Sequence, residues 1–265
     1  MIYTIDNIDQ LKASIGEDTG IVSLVPSLTE LLFDLGLDKQ VIGITKFCIH
    51  PEKWFRTKTR VGGTKNAAIE KILALKPGLI IANKEENVKE QIELLSKDVD
   101  VLLTDINTIT EALTSIQAIG GLLGRKEEAD RIVAAFNAAV IKYTANNLIA
   151  TDVCYLIWQN PWMTVGGDTY INDTLASGGF RNIFAGQKRY PVIEEDAFIA
   201  LVKSGKPVFL LSSEPYPFRQ KHIDAIQSYH PTAKVVLVDG EVFSWYGSKL
   251  LKLPSYISEL RKSIQ

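Results

Sequence analysis

The chain has 265 residues, 46% hydrophobic and 23% charged, with 29 basic against 31 acidic side chains and a formal net charge of −2. That balance suits a globular protein with a substantial core, in one large domain or two small ones, and no basic excess points to nucleic acid. No apolar run approaches the roughly 18–20 residues of a membrane span, and two cysteines, Cys48 and Cys154, exclude a disulfide scaffold or a four-thiolate zinc or iron–sulfur site. Residues 1–10 show neither a basic n-region nor an apolar h-region, so a cytoplasmic chain is expected, or a periplasmic one if a signal has been removed.

In chain order, residues 21–25 read as a short buried strand stopped by Pro26. Ser27 with Glu30 three residues later makes a capping box, Leu28, Leu31, Leu32 and Leu35 keep helical spacing, and Gly36 supplies the stop. A strand is predicted at 41–44, a helix at 68–75 ended by Lys76-Pro77, a buried strand at 79–82, a helix at 85–97, a strand at 99–103 and a helix at 108–123 closed by Gly124. Strands alternating with helices imply a parallel sheet covered on both faces.

Residues 126–148 then run without Gly or Pro, with Ile132, Val133, Phe136, Ala139, Val140 and Tyr143 at helical spacing, which predicts one helix of roughly six turns. The alternation resumes with a strand at 153–158, helices at 171–176 and 196–202, a strand at 208–211, a helix at 219–227, a strand at 235–238 and a terminal helix at 249–264. The two halves echo each other. Glu70 opens EKILAL before Lys76-Pro77 and a strand, and Asp196 opens DAFIAL before Lys206-Pro207 and a strand. The expected fold is α/β, two Rossmann-like lobes with central parallel sheets joined by one long backbone helix: 1–125, 126–150 and 151–265.

Ligands of open α/β sheets bind beyond the carboxyl ends of the strands. Here those ends carry TKFCIHP (45–51), RVGGTKN (60–66), WQNPWMTVGGD (158–168), KRYP (188–191), SSEPYPF (212–218) and FSWYG (243–247). Three of the four tryptophans, Trp158, Trp162 and Trp245, fall there, where they either cover the lobe interface or suit a flat or apolar ligand. Cys48 and His50 are two apart, but without a second Cys/His cluster a buried thiol and a turn histidine are favoured over a protein-built metal site; His50 remains a candidate axial ligand to a metal held in a macrocycle. His222 and His230 are expected to be solvent-exposed. Nucleophile-elbow, phosphate-loop and zinc-protease signatures are absent, and Gly62-Gly63 and Gly166-Gly167 are weak as phosphate signals.

IVSLVPSLTELLFDLG (21–36), VIGIT (41–45), VGG (61–63), IEKILALKPGLII (69–81), the long helix, NPWMTVG (160–166), GGFRNIF (178–184) and Tyr190-Pro191 together resemble the helical-backbone class of periplasmic substrate-binding proteins of ABC transporters, which take cobalamin, iron–siderophores and haem. The pattern covers nearly the whole chain from Gly20 and looks closest to the cobalamin branch. The resemblance implies a monomeric, non-enzymatic protein that needs no cofactor, is not membrane-spanning and binds no nucleic acid, with a cobalamin-type corrinoid or related metal chelate held between its lobes. By matched position Ser27, Phe47, Thr64, Trp162, Tyr190 and Trp245 would face the ligand; Cys48, His50, Trp158 and Tyr246 are further candidates from the same loops. Glu70 and Asp196 would dock on arginines of a permease. Thr64 departs from the stacking tryptophan of the well-known cobalamin receptor. A ferric siderophore would use the cations Lys46, Arg60, Lys65, Lys188 and Arg189, haem would use His50 or Tyr246, and a cytoplasmic carrier or sensor uncoupled from transport is the further alternative.

Overall fold

The computed structural model describes residues 1–11, 15–144 and 150–264. The chain forms two compact units. The first comprises residues 1–106, 110–135 and 246–249, and the second comprises residues 107–109, 136–245 and 250–265.

The strands of the first unit are β1 (Ile2–Tyr3), β2 (Ile21–Ser23), β3 (Val41–Ile44), β4 (Thr59–Arg60), β5 (Leu79–Asn83) and β6 (Asp100–Thr104). They form one sheet in the order β1-β6-β5-β2-β3-β4, every pairing parallel. The central strands β2 and β5 are buried throughout, as their unbroken apolar runs require when helices cover both faces. The helices are α1 (Ile8–Leu11), α2 (Pro26–Asp34), α3 (Glu52–Thr57), α4 (Ile69–Ala74), α5 (Lys89–Leu95) and α6 (Ile109–Leu122). On one face Val22, Leu24, Ile80, Ala82 and Val101 pack against Ile72 of α4 and Ile92 and Leu95 of α5.

The expected cap of α2 is corrected. Val25 is the N-cap and Pro26 the first helical residue, so Ser27 lies inside the first turn. Proline, with φ preset and no N–H to lose, takes that position better than serine does. Glu30 is correspondingly not a capping partner; its carboxylate lies 3.5 Å from the buried Lys249 ammonium. The predicted stops hold. Gly36 has φ +78° and Gly124 φ +66°, each reversing the chain in the left-handed region after its helix.

The long helix is α7 (Lys126–Thr144), 19 residues and about five turns. The predicted end at Leu148 lies outside the described residues. The division between the units falls inside α7, after Ala135, so the helix contributes to both.

The second unit is a mixed sheet. Its strands are β7 (Thr151–Trp158), β8 (Trp162–Thr164), β9 (Phe180–Asn182), β10 (Val192–Ile193), β11 (Val208–Ser212) and β12 (Val235–Val238), in the order β10-β8-β7-β11-β12 with β9 pairing the start of β7. The strands β7, β11 and β12 are parallel, but β8 runs antiparallel to β7, and β10 antiparallel to β8. β8 lies inside the segment 158–168 expected as a strand-end loop, because three residues are too few to show an alternation. The helices are α8 (Tyr170–Ser177), α9 (Glu195–Lys203), α10 (Gln220–Tyr229), α11 (Gly240–Ser244) and α12 (Leu253–Ile264). The echo between halves is real at the level of elements. α4 leads to β5 and α9 to β11, each through one left-handed residue, Lys76 (φ +50°) or Gly205 (φ +61°).

Candidate functional site

In the first unit the strand ends are tied together by two asparagines that sequence reading missed. Asn83, the last residue of β5, donates from Nδ2 to the carbonyl and hydroxyl of Thr104 at 3.1 and 3.0 Å, and its Oδ1 accepts from the amides of Glu85 and Glu86. Asn87 accepts from the Asn83 amide at 2.9 Å and donates to the carbonyls of Leu24 (3.2 Å) and Thr64 (3.1 Å). Both are buried. One side chain therefore fixes the end of β2 to the loop that carries Thr64. Two asparagines four apart directly after a buried strand were the available signal.

That loop is a tight hairpin. The Gly63 amide donates to the Asn66 carbonyl at 3.1 Å, and Gly62 has φ +99°. A Cβ on Gly63 would stand 2.2 Å from Asn66 Oδ1 and 3.1 Å from the Phe47 ring, so glycine there lets the hairpin lie against Phe47. Phe47 is 50% exposed, with the Lys46 ammonium 5.1 Å from its ring centroid. Gly62-Gly63 thus serves a turn and a close approach.

Cys48 is corrected as a ligand contact. Its thiol is fully buried, meets the hydroxyls of Thr29 and Thr45 at 3.1 Å each, and is pushed above the ordinary thiol range by burial. His50 is half-buried near Glu30, whose carboxyl burial holds above the ordinary range against the opposing effect of Lys249. Ser27 and Tyr246 are buried in the same unit, and a Cβ on Gly247 would come within 3.1 Å of the Ser27 carbonyl. The segment 246–249 therefore seats on α2.

In the second unit Trp162 is corrected from a ligand-facing residue to a core residue. It stacks on Phe198 (centroids 4.1 Å, planes 20° apart), lies parallel to Phe218 at 6.3 Å, and is 5% exposed. The cause is strand alternation. On β8, Trp162 and Thr164 point inward. Trp158, the last residue of β7, is 40% exposed and stands edge-on to Tyr216 at 5.3 Å. Tyr216 was not singled out from the sequence. Its hydroxyl lies 3.3 Å from both Gln159 Oε1 and His222 Nε2. His222, expected in solvent, is buried beneath the Tyr216 and Phe218 rings; His230 is half-buried beside Gly205.

Trp245 is buried, and its indole N–H donates to Glu214 Oε1 at 2.9 Å; the same oxygen accepts from Ser244 Oγ at 2.7 Å. Burial raises the Glu214 carboxyl above its ordinary range despite those bonds, and Glu241 and Asp239 push the same way. Tyr190 is half-exposed under the Arg189 guanidinium. The β8–β10 register carries it past Thr164, away from Trp158, so the two are not brought together. Gly166 and Gly167 pair with Arg189 and Gln187 as an extended ladder, and a Cβ on Gly167 would lie 2.1 Å from the Ala185 carbonyl oxygen. That contact, and no phosphate cradle, explains the glycines.

Four of the five rim cations are engaged within their own unit. Lys46 lies over Phe47, Arg60 lies over Phe55 and donates to its carbonyl, Lys65 donates to the Glu85 carbonyl, and Arg189 donates to Asn107 and the Asp168 carbonyl. Among the described residues, no group of three or more His, Cys, Asp or Glu side chains is placed to hold a metal ion, and no helix is long and apolar enough to cross a membrane. Glu70 and Asp196 are both exposed and each is the second residue of its helix, α4 or α9.

Comparison with known proteins places these features in context. A family model described as periplasmic binding protein matches residues 21–236. The chain is 28% identical over 210 residues to an uncharacterized ABC transporter substrate-binding lipoprotein, YvrC, of Bacillus subtilis, covering 75% of this chain and 66% of that protein. It is 25% identical over 183 residues to the vitamin B12-binding protein of Vibrio campbellii, covering 68% and 66%. The chain thus spans about two thirds of the length of these curated relatives. In fold it is similar to the periplasmic vitamin B12 binding protein BtuF of Vibrio cholerae, with a TM-score of 0.76 at 20% identity over 93% of this chain and 98% of that one. The periplasmic heme-binding protein RhuT of Roseiflexus sp. RS-1 is similar to the same degree, with a TM-score of 0.76 at 17% identity over 93% and 98%.

Proposed function

The chain belongs to the periplasmic binding protein family, and on that premise we propose that it is the ligand-capturing component of an ABC transport system whose cargo is a cobalamin-type corrinoid or related metal chelate. The observation that carries this reading is the exposure of flat rings at strand ends. Phe47 after β3 and Trp158 at the end of β7 remain half-open to solvent, where an apolar ring system gains most from covering them. The relatives named for vitamin B12 support the cargo. Against an anionic siderophore, Lys46, Arg60, Lys65 and Arg189 are turned onto rings and oxygen acceptors of their own unit. Haem is the second reading, supported by the heme-binding structural relatives, with His50 or Tyr246 as the axial candidate.

Glu70 and Asp196, at equivalent positions of two helices, are proposed to dock on basic residues of a permease. The relatives named as lipoprotein or periplasmic proteins give no support to the expectation of a cytoplasmic chain. Titration calorimetry with cyanocobalamin, dicyanocobinamide, haemin and a ferric siderophore tests the cargo. Saturable binding of a corrinoid in preference to the others is expected, and retention of none of them would overturn the reading. For docking, Glu70→Lys with Asp196→Lys should abolish ligand delivery to membrane vesicles carrying the cognate transporter while leaving ligand affinity intact.

A further inference from the structure

The hydrogen bonds around Tyr216 form a chain from Arg219 through His222 to Gln159. The backbone amide of Arg219 donates to His222 Nδ1 at 2.8 Å, closer than the 3.1 Å between that nitrogen and the Arg219 carbonyl oxygen; with the amide as donor, Nδ1 carries the lone pair and the neutral ring bears its proton on Nε2. Nε2–H then donates to the Tyr216 hydroxyl oxygen, 3.3 Å away. The phenol proton is left to donate onward, and its acceptor is Gln159 Oε1, also at 3.3 Å. With the phenol as donor, the Gln159 amide turns its oxygen to Tyr216, since only the oxygen can accept. Its NH2 group therefore points away from Tyr216. Among the described residues nothing accepts from this NH2, nor from the indole N–H of the neighbouring Trp158. Gln159 is half-buried and Trp158 is 40% exposed. Trp158 ends β7 and Gln159 follows it, at the carboxyl ends of the parallel strands β7, β11 and β12, where ligands collect.

We propose that Gln159 is a specificity-determining residue of the second unit, its amide NH2 donating to a carbonyl or carboxylate oxygen on the rim of the ligand while the Trp158 indole covers the ligand's ring face. This deepens, and rests on, the binding function proposed above. Ionised carboxylates accept only, so a glutamate at 159 keeps the Tyr216 contact and loses the outward donor. A backbone amide at the start of α10 thereby sets, through one tautomer and one phenol, the polarity presented beside Trp158.

The test is calorimetry of the wild type, Gln159→Glu and Gln159→Met with cyanocobalamin, dicyanocobinamide and haemin, alongside long-range proton–nitrogen NMR of His222 in the free protein. For whichever chelate the wild type binds, both variants should weaken binding by about tenfold or more, the loss expected for one donor that meets its acceptor only in the complex. The amide-rimmed corrinoids and the carboxylate-rimmed haemin separate the two kinds of acceptor. His222 should show an unprotonated Nδ1. Binding within twofold of wild type in both variants would overturn the role of Gln159 and leave the proposed function standing. A protonated Nδ1 would overturn the orienting chain. A wild type that binds none of the chelates would remove the functional reading and this proposal together. Thermal melts guard against a folding defect, the methionine variant serving where the glutamate one is unstable.

Discussion

Truncating Trp162 tests whether it is a core residue or a ligand contact. Its indole is 5% exposed, stacked on Phe198 and parallel to Phe218. A buried tryptophan removes about 200 Å2 from water, which at 25 cal/mol per Å2 amounts to about 5 kcal/mol. Partial collapse of the site and the surface alanine retains bring the expected loss for Trp162→Ala to about 3–5 kcal/mol. That is a large part of the ~5–15 kcal/mol typical of a domain, and at about 3 °C per kcal/mol it lowers the melting temperature of the second unit by about 10–15 °C. Trp158→Ala, which removes a ring already 40% exposed, should cost under about 1 kcal/mol. The assay is urea unfolding by far-UV circular dichroism, with ligand affinity measured on the folded fraction. Stability and binding should separate: Trp162→Ala unfolds early but binds normally once folded, and Trp158→Ala unfolds normally but binds weakly. Equal midpoints for Trp162→Ala and wild type would refute the placement of Trp162 in the core.

Three further outcomes are expected. Gly167→Ala sets a methyl 2.1 Å from the Ala185 carbonyl oxygen; a backbone clash of this kind costs about 1–3 kcal/mol in urea unfolding, while Gly186→Ala, with nothing within 4 Å, stays within about 0.5 kcal/mol of wild type. Lys76→Gly relieves a left-handed lysine at φ +50° and should raise the unfolding free energy by about 0.5–1 kcal/mol, read as a higher urea midpoint at unchanged slope, the relief of strain exceeding the added chain entropy. Burial holds the Glu214 carboxyl above its ordinary 4.5, so the folded protein keeps this proton to higher pH than the unfolded chain does. The group's contribution is therefore greatest below pH 4.5 and is lost as pH rises to the folded value. The melting temperature of Glu214→Gln relative to wild type should accordingly climb from pH 4.5 upward, and a flat difference would remove the burial argument.

Much of the first unit was legible. Unbroken apolar runs at 21–25 and 79–82 marked central strands, and Gly36 and Gly124 marked helix ends, because these signals act over a few residues. The echo of EKILAL and DAFIAL located two helix-to-strand units correctly. The candidate site was legible only as a set of loops. Which rings in those loops face water was not, and neither were Asn83 and Asn87, whose partners lie on other strands.

Local chain chemistry alone determined the α/β alternation, the long helix and the strand ends that carry aromatics. Only the tertiary structure decided that Trp162 is core while Trp158, four residues earlier, is open. The inward or outward sense of a three-residue strand is set by its pairing with β7, and a shift of one residue would exchange the two faces. The same holds for the polarity proposed at Gln159, which rests on a backbone amide 60 residues away that donates to one buried histidine.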